Sequence, residues 1–376
     1  IGGRYSALSN FGIVPAALMG LNIEQFLHQA ERMRHSCEAA VPPQENPGVV
    51  LGTALGCLAK AGRDKLTFVT SPALWDLGAW LEQLVAESTG KEGKGIIPVE
   101  GETVGVPEVY GQDRVFVYIR YEQEIDPEQE ASVGALEQAG HPVIRIDVAD
   151  LMNLGQEFFL WEMATAVAGA MLGINAFDQP NVQESKDYTK AYLETFKKEG
   201  SLAESTPLRV DGDIQIFADE ANQEALKERS TLDDLVAAHV TRLQPGDYFA
   251  MNAYVERTDA VHQIFGRIRT KIRETKQVAT TLGYGPRFLH STGQLHKGGP
   301  NSGVFIQVTC DDGEDLAIPG ELYSFGVLKA AQALGDLQSL TSRQRRVMRI
   351  HVGSDVIKGL TRLEQAIEAA LCVGKQ

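Results

Sequence analysis

The sequence has 376 residues, of which 43% are hydrophobic and 23% charged, the composition of an ordinary folded protein whose length favours two domains. Its formal net charge of -15 disfavours binding to nucleic acid, whose phosphates would be repelled, but is compatible with a local cationic pocket for a small phosphorylated substrate. No apolar run approaches the roughly 18–20 residues of a membrane span, and no signal peptide is visible, so we predict neither a membrane protein nor a secreted one.

Helical and strand patterns alternate along the first half of the chain. The apolar periodicity predicts helices over residues 11–33, 46–62, 74–87, 127–140 and 155–174, of which the last is apolar nearly all round and therefore buried. Short apolar runs predict strands over residues 64–70, 95–99, 114–120 and 142–148. Apolar strands separated by helices of this length indicate βαβ units and a mostly parallel sheet.

The second half repeats this pattern after a polar segment, residues 196–212, where we place the domain boundary. Strands are predicted over residues 213–219, 247–255, 276–284, 302–309 and 345–353, and helices over 260–274, 322–336 and 355–371. The predicted fold class is therefore α/β, a three-layer sandwich with a mostly parallel sheet, built as two α/β units. The first domain would span residues 1–198 and the second 199–376.

The first stretch that suggests chemistry is GGRYS, residues 2–6, immediately before a predicted helix. Paired glycines let a ligand approach the backbone, a helix start supplies N–H donors for an anion, and Arg4 would add a fixed cation. A glycine turn followed by a surface arginine explains the same residues. Both interpretations stay open on this stretch alone.

The second stretch, ESTGKEGKGIIP, begins with Glu87 at the C-terminal end of a predicted helix. That end of the helix dipole disfavours an anion, and a carboxylate in this position is a candidate general base. Lys91 and Lys94 lie on the glycine-rich loop that follows and could hold a phosphate group. A solvated loop is the alternative.

The third stretch, NAFDQPNVQESK, follows the buried helix and brings polar groups to the rim of a core. A turn with Pro180 precedes a new helix that carries Glu184 and Lys186. An ordinary loop between two helices has the same composition.

The fourth stretch, residues 285–303, lies between two predicted strands and contains His290, Gln294 and His296. The two histidines lack the helical spacing of a zinc motif, and no nearby carboxylate or cysteine completes a ligand set, so we predict no metal site. A histidine acid or base in a pocket and plain loop polarity are the remaining interpretations.

Together these stretches resemble the phosphoglucose isomerase family. GGRYSALSNFG is similar to the family segment whose arginine lies in the active site, and ESTGKEGKGIIP to the signature whose glutamate is the catalytic base. INAFDQPNVQESK is similar to the Phe-Asp-Gln segment that ends in an active-site lysine. The three occur in family order over roughly residues 1–195. The resemblance implies an SIS-like fold and assigns Arg4, Glu87 and Lys186 to the active site.

The C-terminal half looks closest to the isomerase part of bifunctional transaldolase/phosphoglucose isomerase fusions, on the stretch YGPRFLHSTGQLHKGGPN. Neither a transaldolase part nor the family's first sugar-phosphate segment is found in the sequence. We therefore expect a fragment, with both segments preceding it in the full-length chain.

The position of the active-site histidine departs from the family pattern. In ordinary isomerases this histidine lies between the glutamate and the Phe-Asp-Gln segment, where this sequence has only His141, in a Gly-His-Pro turn. LHSTGQ resembles the histidine segment of bacterial isomerases, so His290 is the predicted ring-opening residue and His296 the alternate.

The resemblance implies interconversion of glucose 6-phosphate and fructose 6-phosphate through an enediolate, in glycolysis and gluconeogenesis, without a metal or organic cofactor. Glu87 would move the proton between C1 and C2, Arg4 would stabilise the enediolate oxygen, and His290 or Lys186 would open the ring. We expect the helix to bring Glu87 to the carboxyl edge of the sheet, where α/β pockets form. The predicted substrate-binding residues are Gly3, Ser88, Lys91, Gln179 and Gln294.

Two alternatives remain: a non-catalytic sugar-phosphate-binding module of the same fold, and an isomerase that also accepts mannose 6-phosphate. The predicted partner is a small sugar phosphate, with no nucleic acid and no membrane, and the family implies a possible homodimer. The four cysteines lie far apart without a Cys-x-x-Cys pair, so we expect reduced thiols in a cytoplasmic protein.

Overall fold

The computed structural model describes residues 3–202, 206–226 and 229–372. These residues form two compact units. The first unit contains residues up to 108, residues 112–179 and 298–300, and the second contains 109–111, the described residues of 180–297, and those from 301 onward. The domain boundary at residues 198 and 199 stays a prediction. In the described ranges no helix has the length and apolar character needed to cross a membrane.

The first unit is built on a parallel sheet with the strand order β2-β1-β3-β4. Its strands are β1 (Lys65–Thr70), β2 (Ile97–Val99), β3 (Arg114–Tyr121) and β4 (Val143–Val148). Its helices are α1 (Asn10–Leu18), α2 (Ile23–Ser36), α3 (Pro47–Lys60), α4 (Leu77–Thr89), α5 (Pro127–Gln138) and α6 (Leu154–Leu172). Each predicted strand of this half is therefore found. Helices α4 and α5 lie in the connections from β1 to β2 and from β3 to β4, whereas only the short 3-10 helix Pro107–Val109 lies between β2 and β3.

The single helix predicted over residues 11–33 is wrong, because the chain breaks between α1 and α2. Gly20 has a φ of 89°, which lies in the left-handed region that ends helices. The Asn22 side chain then accepts a hydrogen bond from the Gln25 amide at 3.1 Å and starts the second helix as its N-cap. The apolar pattern continues across the break, which is why periodicity alone joined the two helices.

Helices α3 and α6 approach so closely that glycine is required between them. Gly48, Gly52 and Gly56 follow one another at intervals of four residues on α3 and face α6. A Cβ atom on Gly52 would lie 2.4 Å from the Ala164 carbonyl oxygen and 2.6 Å from Val167 Cβ. The two backbones are therefore in direct contact along this line.

The second unit contains a mixed sheet with the strand order β5-β6-β10-β9-β7-β8. Its strands are β5 (Arg209–Asp211), β6 (Ile214–Phe217), β7 (Tyr248–Tyr254), β8 (Ala279–Tyr284), β9 (Gly303–Thr309) and β10 (Arg346–His351). Strands β7 to β10 run parallel, and β5 and β6 form an antiparallel edge. The helices are α7 (Pro180–Glu199), α8 (Glu220–Ala225), α9 (Leu232–Val240), α10 (Asp259–Lys276), α11 (Thr292–Gly298), α12 (Phe325–Ser342) and α13 (Val356–Cys372).

The two faces of this second sheet differ in polarity. On one face, Met251 and Ile306 belong to a large apolar core with residues of α9, α10 and α13. On the other, the register aligns Asn252 with Gln307 and Gln307 with Arg349, so that a polar row crosses three strands. The predicted fold class, α/β with mostly parallel sheets, is confirmed in both units.

Candidate functional site

Glu87 lies in the last turn of α4, and the chain after it determines where that turn sits. Thr89 Oγ1 accepts a hydrogen bond of 2.9 Å from the backbone N–H of Ile96, which directly precedes β2. Because β2 and β1 are parallel and begin side by side, this end of α4 lies at the amino edge of the first sheet. The expected position at the carboxyl edge is wrong, since a helix that follows a parallel strand runs back toward the strand starts.

Arg4 is the residue around which the first unit's motifs assemble. It lies on a short 3-10 helix, Gly3–Tyr5, and is only 1% exposed. Its Nε donates to Ser88 Oγ at 2.8 Å, and its Nη1 lies 3.4 Å from Glu87 Oε1. The arginine of the first motif therefore contacts both the carboxylate and the hydroxyl that open the second motif.

The same guanidinium also holds the Phe-Asp-Gln segment. Nη1 donates to Gln179 Oε1, and Nη2 donates to the carbonyl oxygens of Ala176 and Asp178, all at 3.0 Å. A buried guanidinium with its donors satisfied is rigid, because any rotation would break several charge-assisted hydrogen bonds at once. Three stretches that are distant in sequence thus meet at one cation, and all of these residues belong to the first unit.

Glu87 is buried but only weakly engaged. It is 7% exposed, Oε2 accepts a hydrogen bond of 3.3 Å from Gln83 Nε2, and Oε1 is held by the 3.4 Å ion pair with Arg4. Both contacts are long, and an ionised carboxylate has about four lone-pair sites. The carboxylate therefore has lone pairs that remain available to accept a proton, while its negative charge is balanced by Arg4.

Lys91 binds the Phe-Asp-Gln segment, which Arg4 also contacts. Its Nζ donates to the Asn175 carbonyl at 2.6 Å, to Asp178 Oδ1 at 2.8 Å and to the Asp178 carbonyl. Burial lowers the pKa of the Lys91 ammonium, and the Asp178 carboxylate acts in the opposite direction. These contacts use all three ammonium hydrogens. A direct contact of Lys91 with substrate stays a prediction.

The 3-10 helix that carries Arg4 is itself anchored by aromatic residues. Trp80 Nε1 donates to the Arg4 carbonyl at 3.2 Å, and the Tyr5 ring lies 5.2 Å from the Phe177 ring. Gly3 is exposed, and its carbonyl accepts hydrogen bonds from the amide and hydroxyl of Ser6 at 3.2 and 2.6 Å. The position of Arg4 is thus fixed through its backbone as well as its side chain.

Lys186, His290 and Gln294 belong to the second unit. Lys186 and His290 are exposed and line one cavity beside α7. Gln294 is fully buried, and its amide both donates to Asn181 Oδ1 at 2.7 Å and accepts from the Asn181 amide at 2.8 Å. Gln294 therefore anchors the start of α7, and its predicted contact with substrate stays a prediction.

The two candidate histidines have opposite environments. His296 is enclosed by the rings of Tyr248, Phe288 and Phe305, with ring centroids 5.1 to 6.2 Å away. Burial holds the pKa of this imidazole well below its usual range, and the described residues provide neither ring nitrogen with a hydrogen-bond partner. His290 instead reaches solvent in the cavity beside α7. Exposure therefore favours His290 over His296 for contact with a ligand.

His141 is buried between a backbone and a ring. Its Nε2 lies 3.3 Å from the Pro107 carbonyl oxygen, and its imidazole packs edge-on against the Phe116 ring. Within the described ranges, no group of three or more His, Cys, Asp or Glu side chains is arranged to hold a metal ion.

Sequence reasoning missed Gln83 and Asp178, which complete this cluster. Gln83 lies four residues before Glu87 on α4, so helical spacing could have identified it as a neighbour of the carboxylate. Asp178 belongs to the Phe-Asp-Gln segment itself, yet no local sequence pattern indicates that its carboxylate and its carbonyl accept hydrogen bonds from Lys91. The pairing with Lys91 spans 87 residues of chain.

No protein-family model matches the chain. It is 34% identical over 232 residues to a glucose-6-phosphate isomerase of Rubrobacter xylanophilus, a match that covers 51% of this chain and 53% of the relative. It is 29% identical to the glucose-6-phosphate isomerase of Heliobacterium modesticaldum over 54% of each chain. The enzyme of that name from Parabacteroides distasonis is 26% identical over 56% of this chain and 54% of its own. The chain thus spans about half the length of these relatives.

Solved structures align with more of the chain but at low similarity. A hypothetical protein from Thermus thermophilus aligns with 98% of this chain and 92% of its own, with a TM-score of 0.33 and 13% identity. A glucose-6-phosphate isomerase from Chlamydia trachomatis aligns with 92% of this chain and 72% of its own, with a TM-score of 0.30 and 13% identity. On the sequence matches, the predicted resemblance to the isomerase family is confirmed: over about half of its length, this chain is similar to glucose-6-phosphate isomerases. The closer likeness to transaldolase fusions stays a prediction.

Proposed function

We propose that this chain supplies the general base and the stabilising cation of an aldose–ketose isomerase that interconverts glucose 6-phosphate and fructose 6-phosphate. The observation that carries the proposal is the buried contact of Arg4 with Glu87, because the two residues are those to which the family resemblance assigns these roles. The relatives named glucose-6-phosphate isomerase support the same reaction. The chain spans about half of the length of these relatives. The activity is therefore proposed for the whole protein, in which Glu87 is the base and Arg4 the cation.

The proposed chemistry is a proton transfer between neighbouring carbons of the open-chain sugar. Glu87 takes the proton from C2 of the aldose, and the C1 carbonyl becomes the enediolate oxygen. The same carboxyl returns the proton to C1, while the proton of the C2 hydroxyl passes to the C1 oxygen, so that C1 carries a hydroxyl group and C2 becomes the ketone. A buried carboxylate with unused acceptor capacity suits this exchange, because water cannot compete for the proton as it would at the surface.

Arg4 supports the proposal through its rigidity. The contacts with Ser88, Ala176 and Asp178 hold the guanidinium in place before any substrate arrives. A cation that is already oriented stabilises developing negative charge without a reorganisation cost at the moment of reaction, and such preorganisation contributes several kcal/mol in typical enzymes, on the order of 3–4.

His290 or Lys186 takes the ring-opening role in this proposal, and sugar phosphate is the small-molecule partner. A cytoplasmic location is part of the proposal, supported by four cysteines that remain thiols. The association with a transaldolase part stays a prediction from the sequence, as does a homodimer.

The decisive test is Glu87→Gln in the active protein, followed with a coupled assay of fructose 6-phosphate formation. The amide cannot accept the proton, so we expect kcat to fall about 10²–10⁴-fold with little change in fold. Glu24→Gln, at an exposed carboxylate on α2, is the matched control and should leave kcat unchanged. Retention of kcat within about tenfold in the Glu87 variant would contradict the assignment.

Two further measurements separate the alternatives. Calorimetry with fructose 6-phosphate on the same protein detects binding without turnover, the result expected for a non-catalytic module. Replacing glucose 6-phosphate by mannose 6-phosphate in the assay detects dual specificity.

A further inference from the structure

The first unit has a cavity at the carboxyl edge of its sheet, opposite to the edge where Glu87 lies. The chain leaves β1 toward β2 on one side and leaves β3 toward β4 on the other, so a crevice opens between the carboxyl ends of β1 and β3. The end of β1, the segment after β2 and the starts of α4 and α5 line the cavity. Its volume of about 410 Å³ is within the range of small-ligand pockets, roughly 300–1,000 Å³.

The start of α5 presents hydrogen-bond acceptors to this cavity. Asp126 caps the helix through Oδ1, which accepts from the Glu128 and Gln129 amides at 2.9 and 3.2 Å, and its Oδ2 accepts from no described residue. The Glu128 carboxylate is exposed and forms no ion pair in the part of the chain that the structure describes. Because Asp126 already uses two of the amides that an anion would need at this helix start, the site disfavours a phosphate or a carboxylate.

A buried amide oxygen also favours a ligand that donates hydrogen bonds. Gln129 lines the cavity, and its Nε2 donates to the Thr70 carbonyl at 3.0 Å. Its Oε1 is buried and has no partner among the described residues. The hydroxyl of Ser132 is not available to it, since that group donates to the Glu128 carbonyl at 2.8 Å. A buried acceptor without a donor costs free energy, which a donor brought into the cavity would recover.

The charged groups at the cavity have one sign. Asp126, Glu128, Glu100 and Glu102 line it, and no lysine, arginine or histidine is among its described lining residues. Glu102 is balanced by Arg114, whose Nη2 lies 3.1 Å from Glu102 Oε2. The two carboxylates of α5 have no such cation, and a cavity with this excess of negative charge attracts a cation. No three of the described His, Cys, Asp and Glu side chains are arranged to hold a metal ion, which favours an organic cation.

The remaining wall is apolar and aromatic. Phe68 and Val69 line the cavity from β1, and Trp75 lines it just before α4 although 56% of this side chain is exposed. An ammonium ion alone would leave the indole in water, whereas a ligand with an apolar body would cover it. The face of a tryptophan ring also attracts a cation directly.

We propose that this cavity binds a small organic ammonium ion, whose N–H groups contact Asp126 and Glu128 and whose apolar body packs against Trp75. None of these three residues has a role in the isomerase chemistry, and the cavity and Glu87 lie at opposite edges of one sheet. The proposal therefore goes beyond the isomerase reaction, and it can hold or fail independently of that activity.

Benzylamine is the probe, because it joins an ammonium group to an apolar ring. We expect it to bind the purified whole protein in calorimetric titration, more tightly than benzyl alcohol, which lacks the charge, and than methylamine, which lacks the ring. Glu128→Lys should weaken the binding about tenfold or more, since a repelling charge replaces an attracting one. Glu124→Lys makes the same change at an exposed position that does not line the cavity, and at physiological ionic strength it should leave the affinity unchanged.

The proposal is wrong if the unaltered protein does not bind benzylamine, binds benzyl alcohol or methylamine equally well, or loses equal affinity in Glu128→Lys and Glu124→Lys. Displacement of benzylamine by glucose 6-phosphate would also overturn it, because the cavity would then belong to the sugar-phosphate site. Glu87→Gln separates the two proposals, since it should abolish turnover and leave benzylamine binding intact. If circular dichroism shows that Glu128→Lys does not fold, Glu128→Gln and Trp75→Ala take its place, with weakened binding expected from both.

Discussion

Arg4 and Ser88 form a buried hydrogen bond of 2.8 Å across 84 residues of chain, between a short 3-10 helix and the last turn of α4. Because Ser88 follows Glu87 directly, this bond sets the distance between the guanidinium and the neighbouring carboxylate. The ion pair of Arg4 with Glu87 is thus positioned by a neutral hydroxyl as well as by charge.

Loss of the Arg4 guanidinium should destabilise the fold as well as abolish activity. Arg4→Leu leaves the Glu87 carboxylate buried without its cation and removes one hydrogen-bond donor from each of the carbonyl oxygens of Ala176 and Asp178. Breaking one side of a buried ion pair costs about 3–5 kcal/mol. Urea unfolding should show this loss, while Arg32→Leu, at an exposed arginine on α2, should change the free energy of unfolding by less than about 0.5 kcal/mol.

A cost below about 1 kcal/mol for Arg4→Leu would mean that Glu87 is not balanced by Arg4. Activity measured on the same variant adds information only if its folded fraction is known, so both measurements should use one preparation.

His239 should make the second unit sensitive to acid. It is fully buried on α9, donates from Nε2 to the Phe305 carbonyl at 2.9 Å, and burial lowers its pKa to about 3, assisted by the nearby Arg242 cation. The unfolded chain takes up a proton below the ordinary value of about 6.5, whereas the folded chain does not. Stability from the neutral imidazole is therefore fully present above pH 6.5 and is lost as the pH falls toward 3.

His239→Gln keeps a donor for the carbonyl and removes the titrating group. We expect its free energy of unfolding to depend less steeply on pH between about 6.5 and 3 than that of the unaltered protein. His28→Gln, at an exposed histidine, is the control and should keep the original slope. Parallel profiles for all three proteins would show that His239 titrates normally.

Gly52→Ala should destabilise the first unit. The new methyl group would overlap the Ala164 carbonyl oxygen and the Val167 side chain, and separating the two helices costs about 1–3 kcal/mol. Gly134→Ala on α5 is the matched control, because its Cβ would have no atom within 4 Å. Alanine is the better helix former there, so this control should stabilise the protein by about 0.5–1 kcal/mol. Similar effects of both changes on thermal unfolding would exclude close packing at Gly52.

The sequence predicted the main strands because their apolar runs are short and separated by turn residues. It failed where two patterns overlap, as at Gly20, where a continuous apolar stripe hides a helix break. Helix α9 was overlooked although Thr231 caps it by accepting from the Asp234 amide at 3.1 Å, a spacing of three residues that marks helix starts.

The candidate site was predictable in its residue types and not in its arrangement. Local motifs identified Arg4 and Glu87, but no local rule states that one lies 3.4 Å from the other. The motif alone does not give the edge of the sheet at which Glu87 lies, because that edge depends on the direction of the helix that follows β1. Long-range contacts such as the bonds of Lys91 to Asp178 depend on the whole fold.

The unequal faces of the second sheet have a consequence for protein engineering. On the face of Met251 and Ile306, exchanges that preserve volume should be tolerated, since any apolar shape of similar size fills the core. On the face of Asn252 and Gln307, hydrogen bonding constrains substitutions more than volume does. Gln307 Nε2 donates to the Ala333 carbonyl at 3.0 Å, and an apolar side chain of the same size would leave that carbonyl without this donor. Gln307 thus follows a different substitution rule from its neighbours Ile306 and Val308, and a mutational scan of β9 should tolerate apolar exchanges of similar size at those two positions and not at Gln307.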